Sequence, residues 1–404
     1  MDWKEINRIA RERDIFIYGR SEDWVHKAIA KLEKNPVAII DREPSYHDTE
    51  YLGLRIMPIE MVEFKQKPFF IVTAADYGGI VEGLEQSGCK HGQDYALSPD
   101  FASYEVLSKI REHSVRLLIA CSDYNDQTRA RSSKRGGGLY VLDSETHTLD
   151  LVAVGSFRQV VELDSGFVAV DYVDKQLIFF NKEFSVTQHA NLPYPNSCGV
   201  AIDLERKLLY IANAGIDLIE VFDLETVTKK NEVKLDAPQI LPGGSHHLND
   251  LYIYQGTLYF TYFSRSGQWK KGIFDGGLSA LPCSLLEKAN SVTIPEPLIN
   301  NLWKPHTPYV LKDEVFVLDS MRGRLLKGSN QLLARFPGFI RGLTHCSKYL
   351  YIGMSEDMYV VDRSDSSGCM LNSGVFILDS LNQAYRFIPT YGIMNIHSIM
   401  VLQK

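Results

Sequence analysis

The chain has no C-x-x-C pair, no excess of basic residues and no apolar run long enough to cross a bilayer. Each absence removes a class of function. Six cysteines (Cys89, Cys121, Cys198, Cys283, Cys346 and Cys369) are dispersed over 404 residues, which speaks for reduced, mostly structural thiols rather than a disulfide scaffold. With 43 basic against 50 acidic residues the net charge is −7, so the counterion release that drives duplex binding has no bulk source, and no nucleic-acid partner is expected. No stretch approaches the ~20 apolar residues of a membrane span. The opening, Met1-Asp-Trp-Lys-Glu-Ile-Asn-Arg8, reads as an amphipathic helix without the apolar stretch or cleavage site of a secretory signal, and the expected location is the cytoplasm. Also missing are a P-loop, a G-x-S-x-G elbow, a paired-carboxylate signature and an H-E-x-x-H motif.

What is present follows two patterns. Apolar residues at 45% and charged residues at 23% suit a globular protein, and the length calls for more than one domain. Over residues 1–112, helical and strand patterns alternate. Asp14-Ile-Phe-Ile-Tyr18, Val37-Ala-Ile-Ile-Asp41 and Phe69-Phe-Ile-Val-Thr73 are short unbroken apolar runs, the profile of buried parallel strands. Helices are expected over residues 3–12, 22–34 and 79–86, the second ended by Asn35-Pro36. The expected fold of 1–112 is a small Rossmann-like α/β domain.

From residue 113 the helical period fades and short strands recur between turns. Leu118-Ile-Ala-Cys-Ser-Asp123, a polar loop and Gly138-Leu-Tyr-Val-Leu-Asp-Ser144 are echoed by Tyr351-Ile-Gly-Met-Ser-Glu356, a polar loop and Gly374-Val-Phe-Ile-Leu-Asp-Ser380. A few strands cannot bury their apolar face alone, whereas radial stacking of such units can. Six unit starts stand near Arg158, Asn196, Asn249, His306, Arg341 and His397, about 49 residues apart on average over 113–404, within the ~40–50 of propeller blades. The last start has one strand before the chain ends, and the strands from 114 lack an inner partner. The expectation is therefore a six-bladed β-propeller, mainly β, whose C-terminal strand completes the blade begun at residue 114.

Counting back nine residues from the second strands at Phe167, Leu258, Val315 and Leu350 lands on Arg158, Asn249, His306 and Arg341. Asn196 and His397 take the equivalent places in the two less regular units. Inner strands line the channel, so these side chains should meet at one mouth, joined by His246, His247, Asp250 and Trp303 from loops. Polar lining alone would suit a wet channel. Two arginines and two histidines at one opening, however, repel unless an anion or carboxylates compensate. The pattern points to a small anionic ligand held by Arg158 and Arg341, with Asn196, Asn249 and Trp303 in contact. His306, His247 and His397 are the candidate acids or bases, since histidine changes charge near neutral pH. The same three histidines are the alternative metal set. His345 and His26 read as structural and solvated.

In the first domain Gly19 ends a strand and Asp41 ends the next, 22 residues on, where a dinucleotide's phosphates and ribose would sit. Tyr18-Gly19-Arg20-Ser21 has one glycine where the fingerprint has three, which weakens a nucleotide cofactor. The loops Asp123–Gly138 (four basic residues) and Ser355–Ser373 are either lids or plain solvated loops.

His247-Leu-Asn249, Pro305-His306-Thr-Pro308 and Phe336-Pro-Gly-Phe-Ile-Arg-Gly-Leu343 together resemble an uncharacterised bacterial propeller family that carries H-L-N, P-H-S-P and P-G-F-x-R-G-L segments in this order. The resemblance implies roles for His247, Asn249, His306 and Arg341; Thr307 replaces the usual serine. Residues 1–112 are similar to the Rossmann-like segment beside polysaccharide-biosynthesis epimerases and acyltransferases, although Ser21 stands for its second glycine. That resemblance implies surface-glycan or sugar-nucleotide metabolism, with lyase, epimerase or hydrolase chemistry on a sugar-derived ligand. The other reading is a non-catalytic platform for a protein partner.

Overall fold

Unbroken apolar runs and regularly interrupted ones fold here into two different kinds of sheet. The computed structural model describes residues 1–123, 135–236, 245–356, 370 and 372–402. The chain divides into two compact units, Met1–Lys109 and Ile110–Lys404. The loop stretches 124–134 and 357–369, suggested above as lids, lie outside the described residues.

The first unit holds β1 (Ile15–Tyr18), β2 (Ala38–Ile40), β3 (Glu50–Tyr51), β4 (Leu54–Met57), β5 (Phe69–Val72) and β6 (Tyr95–Leu97) in the order β3-β4-β2-β1-β5-β6. Every pairing is parallel except β3 with β4. Helices α1 (Trp3–Ala10), α2 (Glu22–Lys31) and α3 (Gly78–Gln86) accompany the sheet, and the boundary between units falls inside α4 (Ala102–Glu112). β1 and β5 are buried along their whole length, as their lack of alternation requires. Gly19 follows β1 at φ 96°, and a Cβ there would stand 2.4 Å from the Ala74 Cβ, so only glycine fits. The hairpin β3–β4 and strand β6 are too short to show as periodic signals.

The second unit is a six-bladed propeller. Blade 1 runs over Phe157–Leu163, Gly166–Asp171, Gln176–Asn181 and Val186–Asn191; blade 2 over Ser197–Asp203, Leu208–Asn213, Leu218–Asp223 and Lys229–Asp236. Blade 3 comprises Leu248–Tyr254, Thr257–Tyr262, Gly276–Pro282 and Ile299–Leu302, and blade 4 His306–Leu311, Glu314–Asp319, Arg324–Lys327 and Gln331–Arg335. Blade 5 is Phe339–Cys346, Tyr349–Ser355, Gly374–Asp379 and Ala384–Pro389. In blade 6 the C-terminal strand Ile396–Leu402 pairs antiparallel with Arg116–Cys121, followed by Gly138–Asp143 and Thr148–Val154, so the chain ends close the ring. The first strands of neighbouring blades lie side by side around the circle, including blade 6 against blade 1.

Between each neighbouring pair of blades sits an apolar cluster of its own. Val168 and Leu177 of blade 1 pack with Leu209 and Ile211 of blade 2, and Leu318 and Leu325 of blade 4 pack with Leu350 and Ile352 of blade 5. No blade contains a core by itself, which is why one unit could not fold alone. Ser291–Thr293, from a loop of blade 3, adds a parallel fifth strand to the outer edge of blade 2 and covers it.

One buried group works against stability. Glu220 in blade 2 is fully buried, both carboxylate oxygens lack a hydrogen-bond donor among the described residues, and the Lys229 Nζ stands 4.0 Å away. Burial pushes its carboxyl up to about 7, against Lys229, which pulls it down. A raised carboxyl leaves stability intact below the unfolded value near 4.5 and erodes it as pH rises through about 7. Glu220→Gln should therefore stabilise the protein above pH 7 by up to about 3 kcal/mol, with the gain vanishing near pH 4. Urea unfolding of both proteins across this range checks it; a pH-independent difference would contradict it.

Candidate functional site

Every first strand breaks register with its second strand at nearly the same place. The breaks fall between Phe157 and Val160, Ser197 and Gly199, Leu248 and Leu251, His306 and Tyr309, Ile340 and Leu343, and Ile396 and Ser398. A bulge of this kind turns extra side chains away from the ladder. The residues so released are Arg158 and Gln159, Cys198, Asn249 and Asp250, Thr307 and Pro308, Arg341 and Gly342, and His397.

These residues bind one another across blades. The Gln159 Oε1 accepts from Val200 N–H of blade 2 (3.0 Å) and Leu251 N–H of blade 3 (3.2 Å), while its Nε2 donates to the Leu251 carbonyl (2.6 Å). The Cys198 thiol of blade 2 points at the Asn249 carbonyl of blade 3 (3.6 Å). Thr307 N–H of blade 4 donates to Asp250 of blade 3 (2.8 Å), and Gly342 N–H of blade 5 donates to the Thr307 hydroxyl (3.0 Å). Gly342 sits at φ 77°, and a Cβ on it would press to 2.9 Å from Ile399 N. The Nη1 atoms of Arg341 and Arg158 both meet the His397 Nε2, at 2.5 and 2.9 Å. Guanidinium N–H groups only donate, so that ring nitrogen carries a lone pair. The chain of contacts passes from blade 1 through all six and returns to blade 1.

Above this layer opens a cavity of about 250 Å³. Arg158, Tyr172, Asn196, His247, Asn249, Trp269 and Lys270 are among its walls, and no carboxylate is among the described residues lining it. The Arg158 guanidinium lies over the Tyr172 ring at 4.1 Å, and the Tyr172 hydroxyl donates to the Asn196 Oδ1 (2.6 Å), which leaves the Asn196 amide donors toward the opening. The buried Asn249 Nδ2 and Arg158 Nε find no acceptor among the described residues. Four residues here hold left-handed backbone: Asn196, His247, Lys304 and Thr307, with φ between 48° and 68°. Such strain persists where surrounding structure enforces it.

Burial, then Arg158 and the lysines 304 and 270, press the His247 imidazole down to about 3. Burial and Arg341 hold His306 well below the usual histidine range. Asp250 is pushed up to about 6 by burial, opposed by the Thr307 N–H, Arg341 and Arg158. At neutral pH the throat thus holds two guanidinium charges against one carboxylate, and the lysines add to the positive side.

Arg158, Arg341, His397, Asn249 and His306 are brought together; the His306 and His397 rings stand 6.2 Å apart. His306 Nδ1 is engaged by the Lys304 carbonyl and Ser320 Oγ, both at 2.9 Å, and its ring faces Phe263 and Phe339. His247 and Asn196 line the cavity. Trp303 does not line it; its ring rests on Phe274 under Arg322, and Trp269 supplies the aromatic wall. The three histidines do not converge as metal ligands. His247 packs between Phe263 and Trp269, His397 faces two guanidiniums that repel a cation, and no group of three or more His, Cys, Asp or Glu side chains suited to a metal occurs among the described residues. In the first unit Asp41 caps Glu43 N–H and pairs with Arg20 at 3.9 Å, so its carboxylate is already engaged. Gln159, Tyr172 and Lys270 carried no sequence signal, since only the bulge and the neighbouring blade give them a role.

Residues 238–380 match the model of a Domain of unknown function (DUF4915), a stretch that contains all three motif segments. No curated protein matches the chain. Solved structures similar to it include a protein of unknown function from Bacteroides caccae (11% identity, TM-score 0.44, 72% of this chain and 100% of that one). A protein from Lactobacillus plantarum has 13% identity and TM-score 0.45 over 72% of this chain and 100% of that one. A nidogen/laminin complex has 12% identity and TM-score 0.44 over 72% and 98%. The class that the fold itself defines is the six-bladed propeller.

Gln159→Ala strips partners from two backbone N–H groups and one carbonyl at the axis. It should cost at least about 2 kcal/mol in urea unfolding; a loss below about 0.5 kcal/mol would mean that solvent replaces the amide fully.

Proposed function

We propose that the propeller mouth binds a small anionic ligand, of the acidic-sugar class, in the cavity around Arg158. The observation that carries this reading is the set of donors without acceptors: among the described residues, Asn249 Nδ2 and Arg158 Nε face no protein oxygen, in a cavity with two basic side chains and no acid on its walls. A ligand rich in acceptor oxygens satisfies such donors, and Arg158 offers a carboxylate a forked partner. Trp269 gives an apolar wall against which a sugar ring can lie, while Asn196 and Asn249 suit its hydroxyls. Arg341 acts from behind, fixing His397 and so the position of Arg158.

If a reaction takes place, its proton chemistry is constrained. His247 stays neutral through the physiological range, so it can accept a proton or hydrogen bond but has none to give as an acid. The lone pair of His397 is committed to the arginines. His247 would serve as a base only where a bound anion raises its imidazole back toward neutrality, with lyase or epimerase action on an acidic sugar as the reaction class. The first unit is read as Rossmann-like, from its five parallel strands in the chain order third, second, first, fourth, fifth. Its association with surface-glycan metabolism comes from the resemblance, and the cytoplasmic address from the dispersed cysteines.

Thermal shift with D-glucuronate against D-glucose tests the reading. A ligand at 100 times its dissociation constant adds about 2.7 kcal/mol. Glucuronate should raise the melting temperature by several degrees, glucose should not, and Arg158→Ala should abolish the response. Equal response to the neutral sugar, or an unaltered response in Arg158→Ala, would contradict it. Anion affinity should also tighten as pH falls through about 6, because Asp250 then loses its negative charge. Asp250→Asn should flatten that profile, and titration calorimetry across pH 5 to 8 reads it.

A further inference from the structure

The channel has a second end with different chemistry. Beyond Gln159 and Thr307 lies another cavity, of about 190 Å³, to which the first strand of every blade contributes. Val161, Ile202, Ile253, Tyr309, Thr344 and Met400 reach it, one half-buried side chain from each of the six blades. The rings of Tyr252 and Tyr309 stand 5.1 Å apart on its wall, and the Tyr309 hydroxyl is held by the His345 Nδ1 at 2.6 Å. Among the described residues its single charged lining residue is the exposed Glu162.

Four features set this hollow apart from a simple water channel. The amide of Gln159 and the Thr307–Asp250 pair form a polar layer between it and the basic cavity, so the two are separate compartments. Its wall gathers six half-buried apolar or aromatic side chains, Val161, Ile202, Tyr252, Ile253, Tyr309 and Met400, at one point, more than scattered surface residues would. Its volume exceeds the roughly 150 Å³ in which an engineered apolar cavity takes up benzene. The charge complement is also reversed: arginine and lysine stand at one end, a lone carboxylate with two tyrosine faces at the other.

We propose that this far end is a second binding site, for a small apolar amine. A single aromatic ring or short alkyl body would sit among Val161, Ile202, Ile253 and Met400. Its ammonium would stay at the rim, facing Glu162 and the tyrosine rings, where carboxylate and π-face both attract a cation. This inference stands independently of the anionic ligand proposed for the opposite mouth.

The test uses the full chain and three probes of equal shape: 2-phenylethylamine, 2-phenylethanol and phenylacetate, titrated by ligand-observed NMR and calorimetry. The amine should bind saturably, the alcohol about two- to fivefold more weakly, and the acid weakest of all. Glu162→Gln should remove the amine's advantage and leave alcohol binding unchanged. Ile253→Trp, which fills the hollow, should abolish both; Val161→Phe serves the same purpose if that variant does not fold. Absence of saturable amine binding, an amine no tighter than the alcohol, or binding that survives a folded filling variant would each overturn the proposal. Loss of the glucuronate response in Arg158→Ala should leave amine binding untouched.

Discussion

The first strand of each blade is paired on one side only, so six inner edges confront the channel with amide and carbonyl groups that no sheet satisfies. Buried backbone groups of this kind need partners. Here the partners are side chains released by six bulges. Gln159 ties blade 1 to blades 2 and 3, Asp250 and Thr307 carry the link through blade 4 to Gly342 of blade 5, and His397 joins Arg341 to Arg158. Apolar clusters hold neighbouring blades together face to face, and these contacts tie the blades again at the axis. They also fix the register of each blade relative to the next, because a one-residue slip would carry the bulge side chain away from its partner.

The same constraint shapes the candidate site. Of the side chains that close the ring, Gln159, Asp250, Thr307 and His397 accept while Arg158 and Arg341 donate, and the two guanidinium charges are only partly balanced by Asp250. Burial drives His247 and His306 neutral, which removes two positive charges that the sequence alone would place at the mouth. What is left is a cavity whose walls give hydrogen bonds and accept few. An acceptor-rich anion is the chemical complement of such a wall.

Much of this was legible in the sequence, and the exceptions have physical causes. The two-residue turns at Asp164-Ser165, Gln255-Gly256 and Lys312-Asp313 are equal in length, so counting back from the second strand finds Arg158 and Asn249 inside their bulges. In blade 4 the break falls one residue later, on Thr307 and Pro308. His306 therefore stays a paired strand residue and turns to Ser320, while Thr307 takes the axial role. Trp303 looked equivalent to a mouth aromatic because it precedes a first strand. Its backbone N–H is instead claimed by Asp319, which swings the ring outward onto Phe274, and Trp269 reaches the cavity from a turn between the second and third strands of blade 3. The histidine triad suggested a metal because spacing cannot reveal that two guanidiniums occupy the space beside His397. In the first unit the buried parallel strands announced themselves, while the short β3–β4 hairpin offered no period to read.

Native-state hydrogen exchange resolved at single residues measures the axial ring directly. Val200, Leu251, Thr307 and Gly342 donate their N–H groups to side chains on the unpaired edges of first strands. Edge amides open to a water-filled channel would exchange almost as fast as a loop, whereas groups tied across blades open only with the whole unit. The account predicts that these four amides are protected nearly as strongly as those inside the sheets. Exchange at loop-like rates would contradict it.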